Sequence, residues 1–166
     1  MGVTQLGDIV YVVRRESPVI QMYTADTLSP LGEDIHVEGM TDPMDIVACR
    51  RDRQLYVADG DCIWRVSTDN HSYLKWLTTE STTDRFRAWT LSMTSRRLLV
   101  TSSESPGLRQ YNAVNGELLR VVHLPGHVKY LWHAAETNRG NFLVCHLGTS
   151  KHERQWLDAV SELFRF

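Results

Sequence analysis

Cysteine is scarce in these 166 residues: Cys49, Cys62 and Cys145 are the only three. They are too few and too scattered for a disulfide framework, and none forms a C-x-x-C pair. Each lies within or beside an apolar run, where a thiol behaves as a small hydrophobe. An excess of charge of one sign is also lacking. The chain sets 18 Lys and Arg against 20 Asp and Glu, a formal net charge of −2. No strong field is present to recruit nucleic acid or an anionic membrane. The basic residues come in short pairs, such as Arg14–Arg15, Arg50–Arg51 and Arg96–Arg97, and read as solvated turn residues. No apolar run approaches the ~20 residues of a transmembrane helix. Met1 to Val13 has no basic region ahead of its apolar run and no small-residue cleavage site, unlike a signal peptide. These absences predict a reducing, cytoplasmic setting, with neither nucleic acid nor membrane as partner.

Catalytic signatures are missing too. The chain contains no G-x-S-x-G, no G-x-x-x-x-G-K-[ST] and no G-x-G-x-x-G. Its carboxylates are dispersed, and Glu33–Asp34 and Asp59/Asp61 fall in predicted turns. No segment holds a capped helical period.

What the chain does have is a period. An apolar cluster recurs at Ile9–Val13, Leu55–Ala58, Leu98–Val100 and Phe142–Val144. Its anchors, Val12, Val57, Val100 and Val144, lie 45, 43 and 44 residues apart, within the ~40–50 residues of propeller blades. Eleven residues before the last three anchors stand Ile46, Trp89 and His133, each opening an extended stretch. Short polar segments at 50–53, 94–96 and 136–140 separate this stretch from the anchor and carry hairpin chemistry. A third stretch follows each anchor: Val19–Tyr23, Cys62–Val66, Leu108–Tyr111 and Trp156–Val160. A fourth appears three times, at Asp34–Val37, Tyr73–Leu77 and Leu118–Val122.

The unit is therefore four short strands joined by tight turns, rich in β-branched and aromatic residues. The anchor strands are apolar on both faces, as strands between stacked sheets must be. A β-sandwich, with cleaner alternation, is the structural alternative. The predicted fold is all-β: a partial β-propeller of about four antiparallel blades, approximately 1–39, 40–82, 83–126 and 127–166, in one domain. Counting eleven residues back from Val12 reaches Met1, which predicts a first blade without its innermost strand. The last blade has no segment left for an outermost strand. The expected strand counts are three, four, four and three.

One blade carries a family likeness. Asp42-Pro43-Met44-Asp45-Ile46, then Gln54-Leu55-Tyr56-Val57-Ala58-Asp59, then Ile63-Trp64-Arg65-Val66 resembles the NHL repeat. That repeat runs from a Pro and a small apolar strand through Tyr-Val-Ala-Asp to an Arg-Ile-like strand. The Tyr-Val-Ala-Asp element becomes Leu-Val-Thr-Ser at Leu99–Ser102 and Leu-Val-Cys-His at Leu143–His146. The whole chain also looks like propeller proteins of invertebrates, a likeness that implies no activity. NHL propellers usually close with six blades, so the resemblance implies an arc of a ring. Open blade faces would then invite self-association.

Candidate site residues follow from repeat position. Arg14, Asp59, Ser102 and His146 stand two residues after their anchors, where a strand ends and a turn begins. Turn capping suits the short side chains of Asp59 and Ser102, which leaves Arg14 and His146 as candidates for a binding rim. Ile46, Trp89 and His133 share a place on the innermost strand. Trp89 and His133 would touch a ligand in a central channel, or else pack between blades. Trp64, Trp76, Trp132 and Trp156 read as packing between blades. His123, His127, His133 and His146 gather near the last blade, yet no H-E-x-x-H or comparable spacing points to a metal. Asn70-His71-Ser72 matches a glycosylation sequon in a predicted turn, relevant only to a secreted chain.

The expected function is a protein-interaction scaffold, with a protein partner, no cofactor, no metal and no catalysis. A propeller enzyme of the metal-dependent lyase or lactonase type is one alternative. An RNA-binding NHL-type module is the other.

Overall fold

Branched and aromatic residues at a period of two favour pleated strands, and short Gly, Asp and Asn gaps return them as hairpins. The computed structural model describes residues 1–78, 86–102, 107–147 and 159–164. Its strands form four sheets, antiparallel throughout. The first holds β1 (Gly2–Leu6), β2 (Ile9–Val13), β3 (Val19–Thr24) and β4 (Ile35–His36). The second holds β5 (Asp45–Cys49), β6 (Gln54–Asp59), β7 (Cys62–Ser67) and β8 (Tyr73–Thr78). The third holds β9 (Ala88–Thr94), β10 (Arg97–Ser102), β11 (Gly107–Asn112) and β12 (Leu118–His123). The last holds β13 (Lys129–Glu136), β14 (Phe142–Leu147) and β15 (Ala159–Phe164). Within each sheet the strands lie in chain order. Among the described residues there is no helix, and so none long and apolar enough to cross a membrane.

The chain divides into two compact units, Met1–Thr83 and Asp84–Phe166. In the first unit β1 lies against β5. An added Cβ at Gly2 would sit 2.7 Å from Asp45 Cα and 2.8 Å from the Ile46 nitrogen, so only glycine permits this backbone approach. Two residues on, Thr4 Oγ1 accepts a hydrogen bond from the Ala48 N–H at 3.2 Å.

The packing follows one parity rule. In the first unit Tyr11, Val13, Ile20 and Met22 pack with Ile46, Leu55, Val57 and Trp64. In the second, Leu99, Leu108 and Val122 pack with Leu131, Ala134, Phe142 and Val144. Within each unit, the residues flanking the anchor of the first sheet thus face the second sheet, and the second sheet's own anchor faces back. Successive residues of a strand point to opposite faces, so each middle strand is apolar on both sides.

Three expectations about the strands need correction. The first sheet has four strands, because Gly2–Leu6 pairs with Ile9–Val13 through a two-residue turn, Gly7–Asp8. Counting eleven back overran this strand because the count was taken from a longer hairpin. The third stretch of the last sheet runs Ala159–Phe164 rather than 156–160; residues 156–158 lie outside the described set. The fourth stretch of the first sheet shortens to Ile35–His36, since Asp34 turns its carboxylate to accept from the Met22 N–H at 3.2 Å.

Candidate functional site

In a sheet of consecutive antiparallel strands, the turn after the second strand and the loop leading into the first lie at the same end. Arg14, Asp59, Ser102 and His146 all stand at that end of their sheets. Arg14 is exposed directly after β2, while Asp59, Ser102 and His146 are buried.

Asp59 shows what this position does in the second sheet. Its carboxylate accepts from the Thr41 N–H (3.1 Å to Oδ2), the Asp42 N–H (2.6 Å to Oδ1) and the Trp64 indole N–H (2.9 Å to Oδ2). The side chain fastens the loop leading into β5 to the end of β6 and fixes the Trp64 ring. It caps that lead-in loop more than its own turn. Backbone N–H donors satisfied this way are donors the loop would otherwise leave without partners. His146 holds the matching place in the last sheet. Its ring meets that of His127, from the lead-in loop of that sheet, edge to face at 6.4 Å between centroids.

The same end of the first unit carries an exposed ion pair, Arg15 Nε to Asp42 Oδ1 at 3.2 Å. Another arginine, Arg53, pairs with Asp69 at the opposite end. Beside Asp59, the Cys62 thiol is pushed up to about 11, first by burial and then by the neighbouring Asp59 carboxylate. A thiol that stays protonated at neutral pH is a poor nucleophile. In the folded chain Cys62 is expected to react with iodoacetamide at pH 7.5 about a hundredfold more slowly than a free cysteine. Peptide mapping after timed labelling checks this, and labelling at the free rate would contradict it.

Trp89 and His133 do not occupy equivalent positions. The register pairs the anchors Val12, Val57, Val100 and Val144 with Val3, Ile46, Leu91 and Ala134. The equivalents of Ile46 are therefore Val3, Leu91 and Ala134. The offset changes because the hairpin loops differ in length: two residues at Ser95–Arg96, four at 50–53 and five at 137–141. Trp89 is half-buried and His133 exposed. Trp64 packs between the first two sheets as expected, and Trp76 lies edge to face with Tyr56 at 5.1 Å. Trp132 departs from the expectation. It is 44% exposed, and it sits where the β13–β14 register shifts between Leu131 and His133. A bulge residue is left out of the ladder and re-aimed. Trp156 lies outside the described residues.

Sequence reasoning missed Glu136, which it placed in a turn. It ends β13, and its side chain is only 3% exposed. Its carboxylate accepts from Arg97 Nη1 at 3.1 Å, Gln110 Nε2 at 2.8 Å and Arg120 Nη2 at 3.4 Å. Arg120 Nε also donates to Gln110 Oε1 at 2.9 Å, and its guanidinium stacks on Phe142. Three strands of the third sheet thereby hold one carboxylate of the last. Nothing in local sequence flags this, since the partners come from β10, β11 and β12.

Among the described residues no group of three or more His, Cys, Asp or Glu is placed to hold a metal ion. Asn70 is exposed in its turn, with Oδ1 accepting from Ser72 Oγ at 2.8 Å and from the Ser72 N–H at 3.1 Å.

Exposed apolar side chains gather on the outermost strand β12, at Leu118, Leu119 and Val121. The β11–β12 register shifts at Gln110/Tyr111, so Leu119 is a bulge residue. The bulge interrupts regular strand addition at this edge, and any recognition there relies on side chains.

No protein-family model matches the chain, and no curated protein matches it. Its fold is shared by solved structures of low sequence identity. Hydrazine synthase of Kuenenia stuttgartiensis aligns with a TM-score of 0.70 at 15% identity, over 96% of this chain and 46% of that one. A mitotic checkpoint complex chain aligns at 0.66 and 14% identity, over 87% and 42%. Glutaminyl cyclase of Myxococcus xanthus aligns at 0.63 and 9% identity, over 86% and 66%. The chain spans less than half the length of the first two. Together with four antiparallel sheets and no helix, these likenesses show an all-β partial propeller.

Proposed function

We propose that this chain is a protein-interaction scaffold that binds a protein partner without catalysis and without a cofactor. The observation that carries the reading is the apolar group Leu118, Leu119 and Val121 on the outermost strand of the third sheet. Apolar side chains clustered at a sheet edge mark interaction surfaces. The groups with chemical potential support the same reading, because the fold itself engages them. Asp59 holds the 41–42 backbone and Trp64, Glu136 holds two arginines and a glutamine, and Cys62 is kept protonated. The finer family reading rests on the same clamp. In an NHL-like blade over 42–66, the Tyr56-Val57-Ala58-Asp59 element ends in the carboxylate that ties down the lead-in loop. Three cysteines that form no disulfide suit a reducing, cytoplasmic setting.

Quantitative affinity capture tests the reading. A tagged chain is compared with the double variant Leu119→Glu/Val121→Glu, which changes exposed positions only. Bound partners are expected to fall by about tenfold or more in the variant, the size of a lost hot spot. Partners retained in full by the variant would remove the edge from the binding surface.

RNA is expected not to bind. Five of the described arginines are engaged within the fold: Arg15 with Asp42, Arg53 with Asp69, Arg97 and Arg120 with Glu136, and Arg109 buried over the Phe86 ring. The formal net charge is −2, and the basic residues come in short pairs rather than a long run that would release many counterions. A filter-binding titration with single-stranded RNA at ~150 mM salt should give no submicromolar complex. A tight, salt-sensitive complex would replace the scaffold reading with the RNA one.

A further inference from the structure

The first and last sheets each carry one face that no other sheet of their own unit covers, and the two faces are of opposite kinds. On the first sheet it is the anchor face, with Val3, Val10, Val12, Gln21 and Tyr23 sharing one side by register. On the last sheet it is the flanking face, with Leu143 and Cys145 opposite Ala135 and His133. Val3 is 59% exposed and Leu143 46%.

Within each unit, the flanking face of one sheet packs on the anchor face of the next. Tyr11 and Val13 meet Val57 in this way, and Leu99 meets Val144. The open face of the last sheet is thus the kind that seats on the open face of the first. The first face carries no Asp, Glu, Lys or Arg on β1, β2 or β3, in a chain that is 23% charged.

We propose that the last sheet of one copy of this chain docks its outer face on the outer face of the first sheet of a second copy. The occupant is a second copy because the joint is the one the repeat already makes twice, and because two copies together come close to the length of one solved propeller chain, of which one covers 46%. The contact is heterologous, front to back. Strands of ~17–20 Å, three abreast at ~4.8 Å, give a small face, so the affinity belongs in the micromolar range. This inference does not use the β12 edge.

Sedimentation of the full 166-residue chain tests it, with two variants at exposed positions. Val3→Arg blocks the first face and Leu143→Arg blocks the last. The wild-type chain is expected to sediment above monomer mass across the micromolar range. Each variant alone is expected to be monomeric, with self-association weakened about tenfold or more. Mixed, the two variants are expected to form a one-to-one complex, because each lends the other its intact face. A wild-type monomer up to ~100 μM, far above a micromolar dissociation constant, overturns the proposal. So does a mixture that stays monomeric. Self-association of Val3→Arg alone would mean last face on last face, and of Leu143→Arg alone first on first; either result also overturns it. Leu119→Glu/Val121→Glu should self-associate like the wild type, which separates a failure here from a failure of the edge-binding reading.

Discussion

Gly2→Ala is expected to destabilise the first unit by about 3 kcal/mol, toward the upper end for an overpacked site. The added Cβ would meet backbone atoms of β5, Asp45 Cα at 2.7 Å and Ile46 N at 2.8 Å. Backbone in a paired strand cannot swing aside as a flexible side chain would, so β1 or β5 must move. That movement loosens the Thr4–Ala48 hydrogen bond and the packing of Tyr11 and Val13 on Val57. For a unit of this size the midpoint of thermal unfolding should fall by roughly 10–20 °C. Gly126→Ala is the matched control, because an added Cβ there meets nothing within 4 Å; its change should stay within about 0.5 kcal/mol. Thermal unfolding followed by near-ultraviolet circular dichroism reads both. Equal stability of the two variants would mean that β1 does not lie on β5.

Glu136→Ala is expected to cost the second unit about 2–3 kcal/mol. Removing one partner of a buried ion pair costs ~3–5 kcal/mol when the charge left behind is fully buried. Here Arg97 and Arg120 are partly exposed and water takes up much of their charge, which lowers the figure. The remaining loss comes from Gln110, buried with its Nε2 donor left unmatched. Glu136→Gln should fall between the wild type and the alanine variant, since it keeps an acceptor for Gln110 and loses the charge. Arg15→Ala, which breaks an exposed pair, should change stability by no more than about 0.5 kcal/mol. Urea unfolding of the three variants gives the ranking. A Glu136→Ala variant as stable as Arg15→Ala would mean that the third and last sheets are not joined through this carboxylate.

The repeat was legible because strands buried on both sides must be apolar on both sides, and four such strands at near-equal spacing admit few architectures. The turns at 50–53 and around Ser95 were legible from their polar residues. The first strand was not. Gly2-Val3-Thr4-Gln5-Leu6 carries a glycine and two polar residues, and only the close approach to β5 explains them. The placement of Trp89 and His133 failed for a physical reason. Hairpin loops of two, four and five residues change the offset between neighbouring strands, and bulges at Val100–Ser102 and Leu131–His133 shift it again. A fixed count along the chain cannot follow that, whereas the pleat can. Asp59 was read correctly as a capping residue but assigned to its own turn, because its true partners are Thr41 and Asp42, 17–18 residues away. Glu136 was hidden for the same reason.

The central claim is the parity of the repeat within a unit: residues flanking the anchor of its first sheet, with their partners on the innermost strand, face its second sheet. A disulfide trap tests it most directly. Thr4 and Ala48 face one another across the first joint, with Thr4 Oγ1 at 3.2 Å from the Ala48 nitrogen. Val3, one residue away, points to the opposite face. The double variant Thr4→Cys/Ala48→Cys should cross-link under mild oxidation of the folded chain, as read by peptide mapping. Val3→Cys/Ala48→Cys should not. A cross-link in the second variant, or none in the first, would place the wrong face of the first sheet on the second and contradict the account.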